Sequence, residues 1–224
     1  MNTRNFLALD LGAESGRAIL GRIDGDQLKL NEVHRFSNNP VYIGNRFYWN
    51  PLSLFIEMKH GLAHVETTKN ICLDAVGIDT WGVDFALLDK NDTLLDNPRN
   101  YRDDRTNGFP QKAFEEVTKV DIFAQTGIQF LKINTLYQLI SMRDTTSLDL
   151  ATTFLMMPDL FNFFLLVIKL PNSLMQQQRK CIIRILGLGL TIYSKDSDCR
   201  QTFYRILLSL ALSLEACVAQ YEKS

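Results

Sequence analysis

The chain has 224 residues, 46% hydrophobic and 22% charged, with a net charge of −1. That balance suits a globular protein with ample core material and gives no reason to expect nucleic acid or an anionic membrane as partner. Cys72, Cys181, Cys199 and Cys217 form no CxxC pair and read as reduced thiols; with no signal-peptide core after Met1, the expected compartment is the cytoplasm.

Along the chain, the apolar run Phe6–Leu9 ends in Asp10-Leu11-Gly12-Ala13-Glu14-Ser15-Gly16-Arg17, and a second apolar run follows, Ala18–Ile23. This pattern predicts a hairpin. By itself the octapeptide fits two readings, an ordinary glycine-containing turn or an anion cradle. In the second, backbone N–H groups, Ser15 and Arg17 donate to a phosphate, and Asp10 holds a cation beside it. Alternation over Leu28–His34 predicts a third strand, and Phe47-Tyr48-Trp49 a short one. Asn50-Pro51-Leu52 starts a helix running to about Thr67, with Leu54, Ile56, Met58, Leu62 and Val65 on its apolar face. Ala75–Asp79 and Val83–Leu88 read as buried strands, with a turn between Leu88 and Leu94. Helical periodicity returns at Phe114–Val117 and Leu136–Met142. Phe154–Met157 reads as a strand or turn leading into a helix, Leu160–Leu165. Strands, one helix and further strands in this order predict an α/β domain with a mixed sheet.

His60 and His64, four apart on the predicted helix, invite a metal reading. Gly61 stands where a zinc-protease helix has its glutamate, and no third ligand is evident in the sequence, so packed or solvated histidines are preferred. Gly77-Ile78-Asp79-Thr80-Trp81-Gly82-Val83-Asp84-Phe85 is more specific. Strand interiors seldom hold two glycines without a bulge or a ligand near the backbone. Trp81 can stack on a sugar, and Asp79, Thr80 and Asp84 can bond its hydroxyls. Tyr101-Arg102-Asp103-Asp104-Arg105-Thr106 is a charge-alternating loop, most often a solvated turn, in which Arg102 and Asp103 also suit a polyol.

Taken together, DLGAESGR at 10–17, GIDTWGVDF at 77–85, YRDDRT at 101–106, GIQFLKINTLYQL at 127–139 and LMMPDLF at 155–161 resemble the N-terminal half of the FGGY carbohydrate kinases, most closely their rhamnulokinase branch. The resemblance implies a ribonuclease-H-like (actin-like ATPase) α/β fold, a mixed sheet with helices. It implies ATP and Mg²⁺, with γ-phosphoryl transfer to the 1-hydroxyl of L-rhamnulose. By position, Ala13, Glu14, Ser15, Gly16 and Arg17 would form the phosphate hairpin, with Asp10 near the metal. Gly82, Trp81 and Asp84, together with Arg102 and Asp103, would face the ketose. A non-catalytic sugar-binding or regulatory fragment, and a kinase for a related ketose such as L-fuculose, are the alternatives.

The resemblance covers residues 5–165, which makes 1–165 an incomplete kinase N-terminal domain. Residues 166–224 carry 8 Lys+Arg against 4 Asp+Glu, whereas 1–165 carry 16 against 21. The stretch resembling T-H-D-T-A-S that holds the family's catalytic aspartate is absent from residues 166–224, so the base is unassigned. Leu174-Met175-Gln176-Gln177-Gln178-Arg179-Lys180-Cys181, read one nucleotide earlier, can encode Thr-Asn-Ala-Thr-Thr-Thr-Gln-Met, which resembles the family's continuation. Leu166-Val167 can likewise hide Thr-Gly. The expectation is a net one-nucleotide loss near codon 166, a poorly ordered tail over 166–224 and little kinase activity in this chain. The apolar stretch within Arg205–Tyr221 is expected to be a buried or aggregation-prone helix.

Overall fold

A computed structural model of the chain describes residues 3–68 and 70–166. They form two units, one of residues 3–86, Asn97–Asn100 and 155–166, the other of Leu87–Asp96 and Tyr101–Phe154. The expectations for the tail and for Arg205–Tyr221 lie outside the described residues, apart from Leu166.

The first unit is built on β1 (Arg4–Leu11), β2 (Ser15–Asp24), β3 (Gln27–Ser37) and β6 (Ala75–Thr80), in the order β3-β2-β1-β6. β1 pairs antiparallel with β2 and parallel with β6, giving the expected mixed sheet. Alternation decides its faces. Leu7, Leu9, Leu11, Ala18, Leu20 and Ile78 are buried on one, while Ala8, Asp10, Arg17 and Asp79 share the other. A short hairpin, β4 (Val41–Ile43) and β5 (Arg46–Tyr48), then leads to helix α1 (Pro51–Ala63). Asn50 caps α1 through its side chain, which accepts from Ser53 N at 3.2 Å, and Pro51 needs no partner at the first helical position.

α1 covers the apolar face with Leu54, Met58 and Gly61, and Val65 continues this face into a π-helical turn, His64–Thr68. The helical run reaches Thr68, close to the expected end at Thr67, with its α-helical part stopping at Ala63. One expectation is corrected here: Ile56 is 47% exposed. The buried series 54, 58, 61, 65 steps by four, three and four, as a 3.6-residue period requires, and Ile56 falls outside that stripe. Gly61 is there for proximity, since a Cβ on it would lie 2.7 Å from that of Ala18. Each fully buried leucine or methionine in this layer contributes on the order of 1.5–3 kcal/mol.

β3 is longer than predicted and carries a bulge. Ala18 pairs with His34 and Ile19 with Glu32, leaving Val33 as the extra residue. The phase of alternation switches there. Leu28, Leu30 and Glu32 lie on the Asp10 face, and His34 and Phe36 lie on the α1 face.

β7 (Phe85–Leu88) starts two residues later than predicted and pairs with β8 (Thr153–Met156). Helix α6 (Met157–Leu166) follows, with Leu160 and Phe161 fully buried in the first unit. In the second unit the turn after Leu88 forms as expected, Asp89 Oδ1 accepting from Asn91 N and Thr93 N at 2.8 and 2.9 Å. These backbone donors, that of Thr93 foremost, hold the Asp89 carboxyl below its ordinary range. The helices of this unit are α2 (Phe109–Glu116), α3 (Lys119–Thr126), α4 (Thr135–Ile140) and α5 (Thr146–Leu150). Ala113, Ile122, Leu136, Tyr137, Leu139 and Ile140 are its main buried apolar residues, and the Arg105 guanidinium donates to Gln138 Oε1.

Candidate functional site

β1 and β6 are adjacent and parallel, so both strands release the chain at the same end of the sheet. Leu11 is in register with Thr80 and Asp10 with Asp79. Gly12 and Trp81 therefore begin two neighbouring loops at the carboxyl ends of parallel strands, where open α/β sheets present ligand crevices.

The first loop is the tip of the β1–β2 hairpin. Gly12 N donates to Ser15 O at 2.8 Å. Asn38, beyond the end of β3, closes the turn from outside. Its backbone N–H donates to Glu14 O and its Nδ2 to Gly12 O, both at 2.9 Å. The Asn38 side chain is buried, with no partner for its Oδ1. The carbonyls of Gly12, Glu14 and Ser15 are thus all occupied. The N–H groups of Ala13 and Glu14 have no acceptor among the described residues. A turn with most of its carbonyls filled and two N–H donors open favours an anion. Gly16 lies below the tip, where a Cβ would meet the Phe36 ring at 2.3 Å, so no larger residue fits without a shift. Arg17 and Asp10 are cross-strand partners joined by a hydrogen-bonded ion pair, each about two-fifths exposed. Mg²⁺ commonly uses one or two carboxylates together with a nucleotide's phosphates, and the in-register pair Asp10 and Asp79 fits that donor set.

The second loop holds the other predicted cluster. Asp84 is fully buried, and its Oδ2 accepts from Trp49 Nε1 at 2.6 Å and Trp81 Nε1 at 3.1 Å. The two indoles pack with ring centroids 4.1 Å apart. Between Gly82 and Asp84 the chain makes a γ-turn, Asp84 N donating to Gly82 O at 2.9 Å with Val83 at φ +68°. A β-branched residue in that region is strained by roughly 1–3 kcal/mol and is held there by its surroundings. Trp81 itself is half-buried.

Arg102 and Asp103 belong to the second unit. Asp103 is buried and accepts from Arg105 N at 3.0 Å, capping the short 3-10 turn Asp104–Thr106, while Arg102 lies over the Tyr101 ring.

Sequence reasoning missed Trp49 and Asn38, each joined to its loop by contacts 35 and 26 residues apart. It also did not link His60 to Glu57 and His34. His60 Nδ1 faces Glu57 Oε2 at 3.6 Å, and the same oxygen is 2.7 Å from His34 Nε2. Chiefly through the His34 contact, the Glu57 carboxyl is held below its ordinary range.

No family model matches the chain. It is 41% identical over 161 residues to the rhamnulokinase of Oceanobacillus iheyensis and 40% identical over 164 residues to that of Bacteroides thetaiotaomicron. These alignments cover 71% and 72% of this chain and 34% of either relative. The chain thus spans about a third of the length of the curated relatives it matches. Among solved structures, it superposes on gluconate kinase from Lactobacillus acidophilus with a TM-score of 0.69 at 15% identity, covering 91% of this chain and 40% of that one. A xylulose kinase from the same organism gives a TM-score of 0.68 at 15% identity, covering 90% and 40%. The fold is therefore that of the actin-like ATPase sugar kinases, as expected. Over 161 to 164 residues its sequence is similar to about a third of the rhamnulokinases of these two organisms.

Proposed function

We propose that this chain supplies the phosphate-hairpin side of a kinase that transfers the γ-phosphoryl group of ATP to the 1-hydroxyl of L-rhamnulose. The observation that carries the reading is the pair of open N–H donors at Ala13 and Glu14, beside Arg17 and Asp10. In this reading the amides of Ala13 and Glu14, the Ser15 hydroxyl and the Arg17 guanidinium bind the polyphosphate, and Gly16 lets Phe36 support the strand beneath them. Asp10, with Asp79 beside it, holds Mg²⁺, which when bound neutralises charge on the phosphates. Trp81 and Gly82 lie along the ketose, while Asp84 fixes the indoles of Trp81 and Trp49. Such chemistry is chiefly positioning and charge neutralisation.

The proposal includes the domain reading, with residues 1–165 as the kinase segment and 166–224 as a tail outside the family's reading frame. Sequencing the gene around codon 166 tests the tail; an intact downstream frame overturns it. For the site, calorimetric titration of the 224-residue chain is expected to show ATP binding weakened at least tenfold by Arg17→Ala and L-rhamnulose binding weakened by Trp81→Ala. A coupled assay is expected to show little turnover by this chain alone. Failure to bind ATP, or a preference for L-fuculose, overturns the nucleotide or the ketose assignment respectively.

A further inference from the structure

We infer that His34, Glu57 and His60 form a binding site for one divalent transition-metal ion, with zinc the best match to the donor set. One ligand atom from each residue lies within 4.8 Å of the others. The trio is assembled from two elements. Glu57 and His60 are three apart on α1 and so share a face, and the Val33 bulge turns His34 from β3 towards that face.

The chemistry is selective. Two imidazoles and a carboxylate are borderline-soft donors that suit Zn²⁺, Co²⁺ or Ni²⁺, whereas Mg²⁺ and Ca²⁺ prefer all-oxygen sets. In a tetrahedral site with metal–ligand bonds of about 2.0–2.1 Å, ligand atoms stand roughly 3.3 Å apart. The His60–Glu57 separation, 3.6 Å, is already close to this, and the His34–Glu57 contact, 2.7 Å, needs to open by only a fraction of an ångström. His34 is held from behind by the Phe36 ring, 5.5 Å away between centroids, and meets His60 edge to face at 6.2 Å. The His60 side chain is 61% exposed, which leaves the solvent side of the trio open for a water as fourth ligand.

The site lies on the α1 face of the sheet, and Asp10 and Arg17 point from the other. It is therefore separate from the phosphate hairpin and does not depend on the kinase reading. Its effect would be to fasten α1 to β3, because an ion bound only by the folded arrangement stabilises it.

The test uses the purified, chelator-treated 224-residue chain with Co²⁺ and Zn²⁺ as probes. Expected are a visible d–d band of four-coordinate intensity, with no thiolate charge-transfer band from this site, and a melting temperature that rises with Zn²⁺ concentration. His34→Gln and His60→Gln should each abolish the d–d band and the Zn²⁺-dependent rise, and His64→Gln should leave both intact. His60 is exposed, so His60→Gln keeps the fold and decides the matter even where His34→Gln is poorly folded. Absence of any Co²⁺ or Zn²⁺ response in the parent overturns the site. So does a response that survives His60→Gln, or one accompanied only by thiolate bands, which would place the ion on the cysteines.

Discussion

The Trp49 indole donates to the Asp84 carboxylate at 2.6 Å in the interior of the first unit, and Trp81 donates to the same oxygen at 3.1 Å. One buried charge thus orients two aromatic rings, one of them in the loop proposed to meet the sugar. Replacing Trp49 by Phe removes a donor to a charged acceptor, so the unfolding free energy should fall by about 1.5–3 kcal/mol. Urea denaturation measures the loss, and the fluorescence of Trp81, then the sole tryptophan, should shift as its neighbour changes. Unchanged stability would show that this bond contributes nothing.

Two glycines of the same sheet should respond differently to alanine. A Cβ at Gly16 would sit 2.3 Å from the Phe36 ring, whereas one at Gly77 meets nothing within 4 Å. Gly16→Ala is expected to cost about 1–3 kcal/mol through overpacking, partly recovered by adding Phe36→Leu, and Gly77→Ala should cost nothing measurable. Thermal unfolding of the two single variants and the double variant separates these outcomes.

Asn38 is the outer clasp of the hairpin tip. Asn38→Ala deletes the bond to Gly12 O and should lower stability by about 1 kcal/mol. Hydrogen exchange at Gly12 and Ser15 should quicken, and ATP affinity should fall by more than the global stability loss explains. Wild-type exchange at the tip would show that the turn holds itself.

Burial raises the Tyr137 phenol above its ordinary value near 10. The fold therefore favours the neutral form. This contribution is complete below pH 10, where the unfolded chain is also protonated, and is lost as pH rises through the higher folded value. Against Tyr137→Phe, the parent should lose extra stability only above pH 10, read from unfolding free energies across the alkaline range. An equal pH dependence in both proteins would place the effect elsewhere.

The hairpin and the glycine-rich segment were legible because each is local. Alternation marks the strands, and a turn of glycine and small residues is visible within eight positions. α3 and α5 went unread, since both are short and neither carries a long apolar period. Arg102 and Asp103 were legible only as a charged loop, and the capping bond from Asp103 to Arg105 emerged from the folded geometry.

His34 shows most clearly where sequence reasoning stops. A regular strand over Leu28–His34 puts Leu28, Leu30, Glu32 and His34 on one face. The bulge at Val33 changes the phase and sends His34 to α1, where Glu57 meets it. Sequence alone determined the strand periods, the helix start at Asn50-Pro51, the hairpin turn within residues 10–17 and the family resemblance, because each depends on residues near one another in the chain. Tertiary structure alone decided that Asp10 faces Asp79, that Asn38 closes the tip, that Trp49 shares Asp84 with Trp81 and that Glu57 pairs across to His34 on β3. Those contacts are set by strand register and helix packing, which bring together residues that no local pattern links.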